Sequence, residues 1–373
     1  MKLHLAQLEE LHLNAKIAIT GSKSETNRLL LLQALYPNLK ISNISNADDA
    51  DVMTKGLAIS DGTVDIHHAG TAMRFLTGYF AAQDKKEVVL TGSQRMTERP
   101  VKVLVDALRA LGADIEYVKN DGYPPIRIKG KNLTKNKVSL PANISSQYIS
   151  SLLLIAPRLE NGLQLELIGK ITSVPYIKMT LGLLSEIGVE STFIGNTVKV
   201  MPKASVADKT LIVESDWSSA SYFYSSIALA AIGSEITLSA YKENSLQGDS
   251  VLAEIYRIFG VETTFGDKRI TLTKTADLKP EPVHLELGNA PDIAQTIAVT
   301  CFGLGIGCHL TGLHTLKIKE TDRLEALKAE LSKMGADISV SDAELQLSAS
   351  ETIISEMAID TYNDHRMAMA FAP

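Results

Sequence analysis

Leu111-Gly112-Ala113-Asp114 ends an amphipathic helix, and the same ending returns as Ile187-Gly188-Val189-Glu190, Phe259-Gly260-Val261-Glu262 and Met334-Gly335-Ala336-Asp337. A glycine in this place closes a helix in the left-handed backbone region, where a side chain is most costly. Gly112, Gly188, Gly260 and Gly335 stand 76, 72 and 75 residues apart, and alternating strand-like residues such as Ile126-Arg127-Ile128 or Val198-Lys199-Val200 follow them. A period of this kind marks a supersecondary unit used several times over.

A second series runs upstream. Polar turns at Gly70, Ser146, Ser218, Asp292 and Asp364 each open an apolar helix at intervals of 76, 72, 74 and 72 residues, and the first four precede their capping glycines by 42 or 43. A compressed first copy, with Ser24 and a helix over Asp51 to Ser60, brings the count to six. Carried onward from Asp364, the pattern sets its last cap at roughly position 406, so the sixth unit is expected to be incomplete at Pro373.

The stretches Leu29 to Leu35, Ile149 to Ala156 and Ile227 to Ile232 are apolar nearly all round, which places such helices inside a domain. Val101 to Leu111 and Thr321 to Met334 keep a charged face and are expected outside. The polar turns then lie at the N-termini of buried helices, where unpaired N–H groups and the macrodipole attract anions.

Composition bounds the function. A chain of 373 residues exceeds what one core usually supports, so two domains are expected. Hydrophobic content of 45% and charged content of 21% are those of an ordinary globular protein, and a net charge of −6 argues against nucleic acid as a partner. Cys301 and Cys308 sit in the apolar stretch Val299 to Leu310, a setting for buried thiols and not for a disulfide framework. His309 lacks the spacing partners of a zinc site, and no nucleotide, flavin or metal motif is present, so no cofactor is expected. No run approaches the roughly 18 apolar residues of a membrane span, and the reading is a cytoplasmic protein.

The chemistry sits in short motifs: Gly21-Ser22-Lys23-Ser24 with Asn27-Arg28, Gly70-Thr71-Ala72-Met73-Arg74, Arg95-Met96 with Glu98-Arg99-Pro100, Ser145-Ser146-Gln147, Ser173 with Pro175-Tyr176, Lys319-Glu320-Thr321-Asp322-Arg323 and Asn363-Asp364-His365-Arg366. Each has a plain reading by itself. Serines and Asp292 ahead of helices are commonly N-caps, and Arg99 or Arg323 could be surface ion pairs worth under about 1 kcal/mol. Together and in this order, from residue 20 onward, they resemble the 5-enolpyruvylshikimate-3-phosphate synthase family.

The resemblance implies an α/β, two-domain inside-out barrel of six βαβαββ repeats, three per domain, with domains at 21–213 and at 1–20 plus 214–373 joined by two crossings. It implies transfer of the enolpyruvyl group of phosphoenolpyruvate to the 5-hydroxyl of shikimate 3-phosphate with release of phosphate. Shikimate 3-phosphate would meet Lys23, Ser24, Arg28, Ser145, Ser146, Gln147, Ser173, Asp292, Thr315 and Lys319. Phosphoenolpyruvate would meet Lys23, Gly70, Arg99, Gln147, Arg323 and Arg366, with glyphosate competing there. Asp292 would take the hydroxyl proton, and Glu320 with Lys23 would serve protonation of the methylene carbon. A monomer that closes on its substrates is expected, with no membrane partner. His68, Thr315 and Phe75 depart from the family's usual Asn, Asn and Pro. Two rivals remain: the sister transferase acting on UDP-N-acetylglucosamine, which commonly has a cysteine in the loop matching Gln94 to Arg99 where this chain has none, and a non-catalytic repeat protein that binds phosphorylated metabolites. The RNA 3′-phosphate cyclase group is disfavoured by the acidic balance.

Overall fold

The computed structural model describes residues 3–5, 13–143, 145–171, 174–278 and 281–373. The chain divides into two compact units, one of residues 20–214 and one of residues 215–373 together with the described residues up to 19. The mixed α/β architecture is the same in kind in both.

Residues 20–214 carry α1 (Lys23–Leu35), α2 (Asp48–Ala58), α3 (Gly70–Ala81), α4 (Gln94–Thr97), α5 (Lys102–Leu111), α6 (Ser146–Ile155) and α7 (Val174–Glu186). The second unit carries α8 (Trp217–Leu229), α9 (Leu252–Ile255), α10 (Ala294–Gly303), α11 (Arg323–Lys333) and α12 (His365–Ala370). Among the described residues no helix is long and apolar enough to cross a membrane.

Four sheets share one plan. In each, two parallel strands lead to an antiparallel pair, in the spatial order first, second, fourth, third. Gly62–Asp65 runs parallel to Glu87–Thr91, which pairs antiparallel with Ile126–Lys129, and that strand pairs with Asp114–Tyr117. Lys137–Pro141, Leu163–Ile168, Thr197–Val200 and Ser191–Ile194 repeat the pattern, as do Val283–Glu286, Cys308–Thr311, Leu345–Leu347 and Ile338–Val340. The fourth sheet recruits Asn14–Ile17 beside Glu235–Ser239, which ties the chain's start to the second unit. Leu39–Ser42 and Lys209–Ile212 form a separate parallel pair.

All four repeat glycines adopt the left-handed conformation, with φ of 112° at Gly112, 80° at Gly188, 74° at Gly260 and 95° at Gly335. The helix ahead of Gly260 is broken into a single α-helical turn, α9, between two 3-10 stretches. The stretch Ile227 to Ile232 is helical only as far as Leu229, because Ala230 turns extended. The helix expected from Thr321 is trimmed in a similar way, with α11 opening at Arg323 under the Asp322 cap.

The apolar helices are buried as their composition requires. Leu29, Leu31 and Leu32 of α1, Phe75 and Leu76 of α3 and Leu152 to Leu154 of α6 are fully buried, each such side chain contributing about 1.5–3 kcal/mol relative to exposure. Hydroxyls on these helices bond back to the preceding turn, as Thr77 does to the Met73 carbonyl and Thr300 to that of Thr296. Lateral bonds fix the register. Arg28 of α1 meets Ser150 of α6, and Ser151 of α6 donates to the Arg74 carbonyl of α3, so matching turns lie side by side and the three helices begin at one end. In the second unit Ser221 meets Thr296 and the Thr300 hydroxyl meets that of Ser225, which aligns α8 and α10 in the same way. Lys274 is buried and donates to the carbonyls of Ala228 and Phe259, closing two helix ends at once.

Candidate functional sites in the two units

In the first unit the helix starts carry the predicted residues. Lys23 opens α1, its side chain partly exposed, with Nζ 3.8 Å from an Asp49 oxygen. Ser24 follows it on the first turn and gives its carbonyl to Arg28. Arg28 itself is buried, and its guanidinium donates to Thr180 Oγ1 at 2.8 Å, Ser150 Oγ at 2.9 Å and the Ser24 carbonyl at 2.8 Å. Burial pushes its pKa down to about 10, against the opposing pull of Tyr176 and Glu25. It holds α1, α6 and α7 together, a structural task that the motif alone does not reveal.

Gly70 opens α3, and the reason for glycine is steric. A Cβ there would lie 2.7 Å from Arg99 Nη1, so the guanidinium rests where a side chain would stand. Arg74 sets this contact from below. It is buried, donates to the Gly70 carbonyl at 3.2 Å and to the Pro100 carbonyl at 3.0 Å, and so ties the start of α3 to the residue after Arg99. Tyr148 adds a second donor to Pro100 at 2.7 Å. Ser145 caps α6 and Ser146 is its first residue, while Gln147 reaches Thr71 Oγ1 at 3.2 Å, beside Gly70. Ser173 lies outside the described residues.

In the second unit the structure brings Asp292, Lys319, Glu320, Arg323 and Arg366 together. Arg323 is 1% exposed, not a surface ion pair. Its three nitrogens face three carboxylates: Nε donates to Asp364 at 2.7 Å, Nη1 to Asp292 at 2.9 Å and Nη2 to Glu320 at 2.7 Å. Asp292 lies in the 3-10 turn Pro291–Ile293 and makes no cap bond to α10. Its oxygens instead meet Arg323, Arg366 at 3.4 Å and Lys319 at 3.5 Å. Burial alone would raise its pKa, but Arg366, Lys319 and Arg323 outweigh that and hold the carboxyl far below the usual range. Asp364 shows the same contest, burial opposed by Arg323, with a net lowering. Arg366 lies in the first turn of α12, donates to the Asp292 carbonyl at 3.2 Å, and is kept charged despite burial by Asp292 and its neighbours.

Three carboxylates thus face three cations in this cluster, and Glu320, with a side chain 48% exposed, is the outermost of them. Thr315 Oγ1 is buried and without a hydrogen-bond partner among the described residues. Two carboxylates here, Asp364 among those three and Asp249 beside them, are given no role by the motifs. Asp364 is visible in the sequence only as a turn residue. Asp249 has no local signal at all; it accepts a bond from Ser218, and burial together with the Asp292 charge pushes it up to about 6.

An arrangement of helix N-termini, forked guanidiniums and a carboxylate ringed by cations is suited to hold small polyanions and to move a proton beside them. Comparison with known proteins points the same way. The family model described as EPSP synthase (3-phosphoshikimate 1-carboxyvinyltransferase) matches residues 55–372. The 3-phosphoshikimate 1-carboxyvinyltransferase of Bacteroides fragilis is 43% identical across 97% of this chain and 88% of its own length. That of Haemophilus influenzae is 36% identical across 95% and 88% respectively. The solved EPSP synthase from Acinetobacter baumannii matches the fold with a TM-score of 0.80 at 20% identity, covering 96% of this chain and 89% of that one. With a matched model spanning most of its length and relatives this similar, the chain belongs to the EPSP synthase family.

Proposed function

We propose that this protein transfers the enolpyruvyl group of phosphoenolpyruvate to the 5-hydroxyl of shikimate 3-phosphate, as a cofactor-free, cytoplasmic monomer. The fold is read accordingly as six βαβαββ units, three in each compact unit, forming an inside-out α/β barrel; the shared order of the four sheets supports this. The observation that carries the functional reading is Asp292 among Arg323, Arg366 and Lys319, with Glu320 on the same arginine.

The hydroxyl oxygen bonds to the central carbon of the enol while the methylene carbon gains a proton. The tetrahedral intermediate then loses phosphate and a methyl proton, which restores the double bond. Asp292 receives the hydroxyl proton, and Glu320 with Lys23 serves the methylene. Held far below the usual range, the Asp292 carboxylate is a weak base until its cations turn elsewhere. Phosphoenolpyruvate supplies that alternative: as Arg323 and Arg366 pair with its oxygens, with Lys23, Gln147, Arg99 and the Gly70 backbone completing the set, Asp292 gains proton affinity when the substrate is in place. Ser24, Arg28, Ser145, Ser146, Gln147, Ser173, Thr315 and Lys319 hold shikimate 3-phosphate, Arg28 through the helices it binds as well as directly.

The test is a phosphate-release assay with phosphoenolpyruvate and either shikimate 3-phosphate or UDP-N-acetylglucosamine. Release with shikimate 3-phosphate alone is expected. Release only with the sugar nucleotide would reassign the acceptor, and release with neither would leave a binding scaffold.

A further inference from the structure

Glu330 is a carboxylate with no exposure, two turns along α11 from Arg323. Seven residues on a helix return to nearly the same face, roughly 10 Å further along. A buried charge is costly unless fully partnered, and this one has four bonds. Lys333 Nζ donates to both of its oxygens, at 2.9 and 2.7 Å, the Asp360 amide donates at 3.0 Å, and the Tyr362 hydroxyl at 2.6 Å. Lys333 also reaches the Asp360 side chain at 3.0 Å.

These partners lie on the return of the chain. Residues 351–363 form neither helix nor strand, and they lead directly to Asp364 and Arg366. Tyr362 and Asn363 adopt left-handed backbone, with φ of 55° and 52°, conformations that a non-glycine residue keeps only when its surroundings hold it there. Immediately after them, Asp364 takes Arg323 Nε on one oxygen and the Arg366 amide on the other. The segment is therefore pinned on α11 at two places, Glu330 and Arg323, with the strained turn between them.

We propose that Glu330, with Tyr362, is a positioning residue. The hub holds the strained turn and thereby aims Asp364 at Arg323 and Arg366 at the phosphoenolpyruvate oxygens, without touching substrate. An amide at position 330 accepts at one oxygen only, so either the Asp360 amide or the Tyr362 hydroxyl faces an NH2 donor in place of an acceptor. This inference rests on the proposed function for its kinetic consequence and on the geometry alone for its structural one.

The experiment compares wild type, Glu330→Gln and Tyr362→Phe by backbone hydrogen exchange and by steady-state phosphate release. Both variants are expected to speed exchange in peptides spanning residues 360–370 by at least about tenfold while the sheets of the same unit keep their protection. Both are expected to raise KM for phosphoenolpyruvate by roughly ten- to hundred-fold, the scale of a misplacement near 1 Å, with KM for shikimate 3-phosphate changed less than about threefold. Uniformly faster exchange across residues 215–373, or equal changes in the two KM values, would make the hub merely stabilising and overturn the proposal. Unchanged exchange at 360–370 would also overturn it. If Glu330→Gln does not fold, Tyr362→Phe, which loses one hydroxyl, decides the matter. Wild type that releases no phosphate would refute the function while the exchange data still judged the hub.

Discussion

Replacing Gly70 by alanine tests the contact between α3 and Arg99 directly. The added methyl would sit 2.7 Å from Arg99 Nη1 and 3.1 Å from Cζ, about 0.7 Å short of an ordinary van der Waals contact, so the guanidinium has to withdraw by that amount. Gly70 is not among the left-handed residues, and alanine at a helix start is favourable by up to about 1 kcal/mol, so the fold is expected to survive. A charge-assisted bond displaced this far forfeits about 1.5–3 kcal/mol, and every 1.4 kcal/mol is tenfold. KM for phosphoenolpyruvate is therefore expected to rise roughly ten- to hundred-fold in a phosphate-release assay at saturating shikimate 3-phosphate, with KM for the latter within about twofold. A phosphoenolpyruvate KM within twofold of wild type would show that the Arg99 fork either yields without loss or does not bind this substrate, and the reasoning would fail.

Other outcomes follow from the same geometry. Asp249→Asn removes a carboxylate whose folded pKa lies near 6, above its unfolded value near 3.9. The contribution of Asp249 to stability is then fully present below about pH 4 and is lost as pH rises through about 6, so the variant should be stabilised by on the order of 1–3 kcal/mol at pH 8 and unaffected at pH 4 in thermal unfolding. Stabilisation of equal size at both pH values would contradict this. Asp292 has the opposite sign: its depressed pKa contributes stability above about pH 4 that is lost on acidification, so Asp292→Asn should flatten the acid limb of the unfolding profile and lower kcat by about 10²- to 10⁴-fold. Lys274→Met strips donors from two buried carbonyls, and at about 1–3 kcal/mol each the unfolding temperature should drop by several degrees with turnover kept in the cold; no drop would show that water replaces the ammonium.

The periodic glycines are legible because a left-handed helix end is a local demand, met by one residue type wherever the unit recurs. All four take up that conformation at the places their spacing marks. The motif turns are legible for a similar reason, since helix starts and forked cations announce themselves within a few residues. What the residues do not disclose are pairings across long stretches of chain. Arg28 reads as a free cation until Thr180 and Ser150 are brought to it from more than a hundred residues away. Arg323 reads as a ligand clamp, yet it is surrounded by Asp292, Glu320 and Asp364, so any anion must compete with carboxylates already seated. Glu330 reads as one more acid on a charged helix face, and only the returning chain at Asp360 and Tyr362 gives it a purpose. The end of α8 escapes the sequence because apolar residues such as Ile232 continue past it while the backbone turns at Ala230.

The proposed function assigns both Arg99 and Arg366 to phosphoenolpyruvate. The most direct measurement is kcat/KM for phosphoenolpyruvate, at saturating shikimate 3-phosphate, in Arg99→Ala, Arg366→Ala and the double variant. Both single substitutions are expected to lower it by at least about a hundredfold, and the double by less than the product of the two, since contacts sharing one ligand are not additive. A normal value in either single variant would contradict the account.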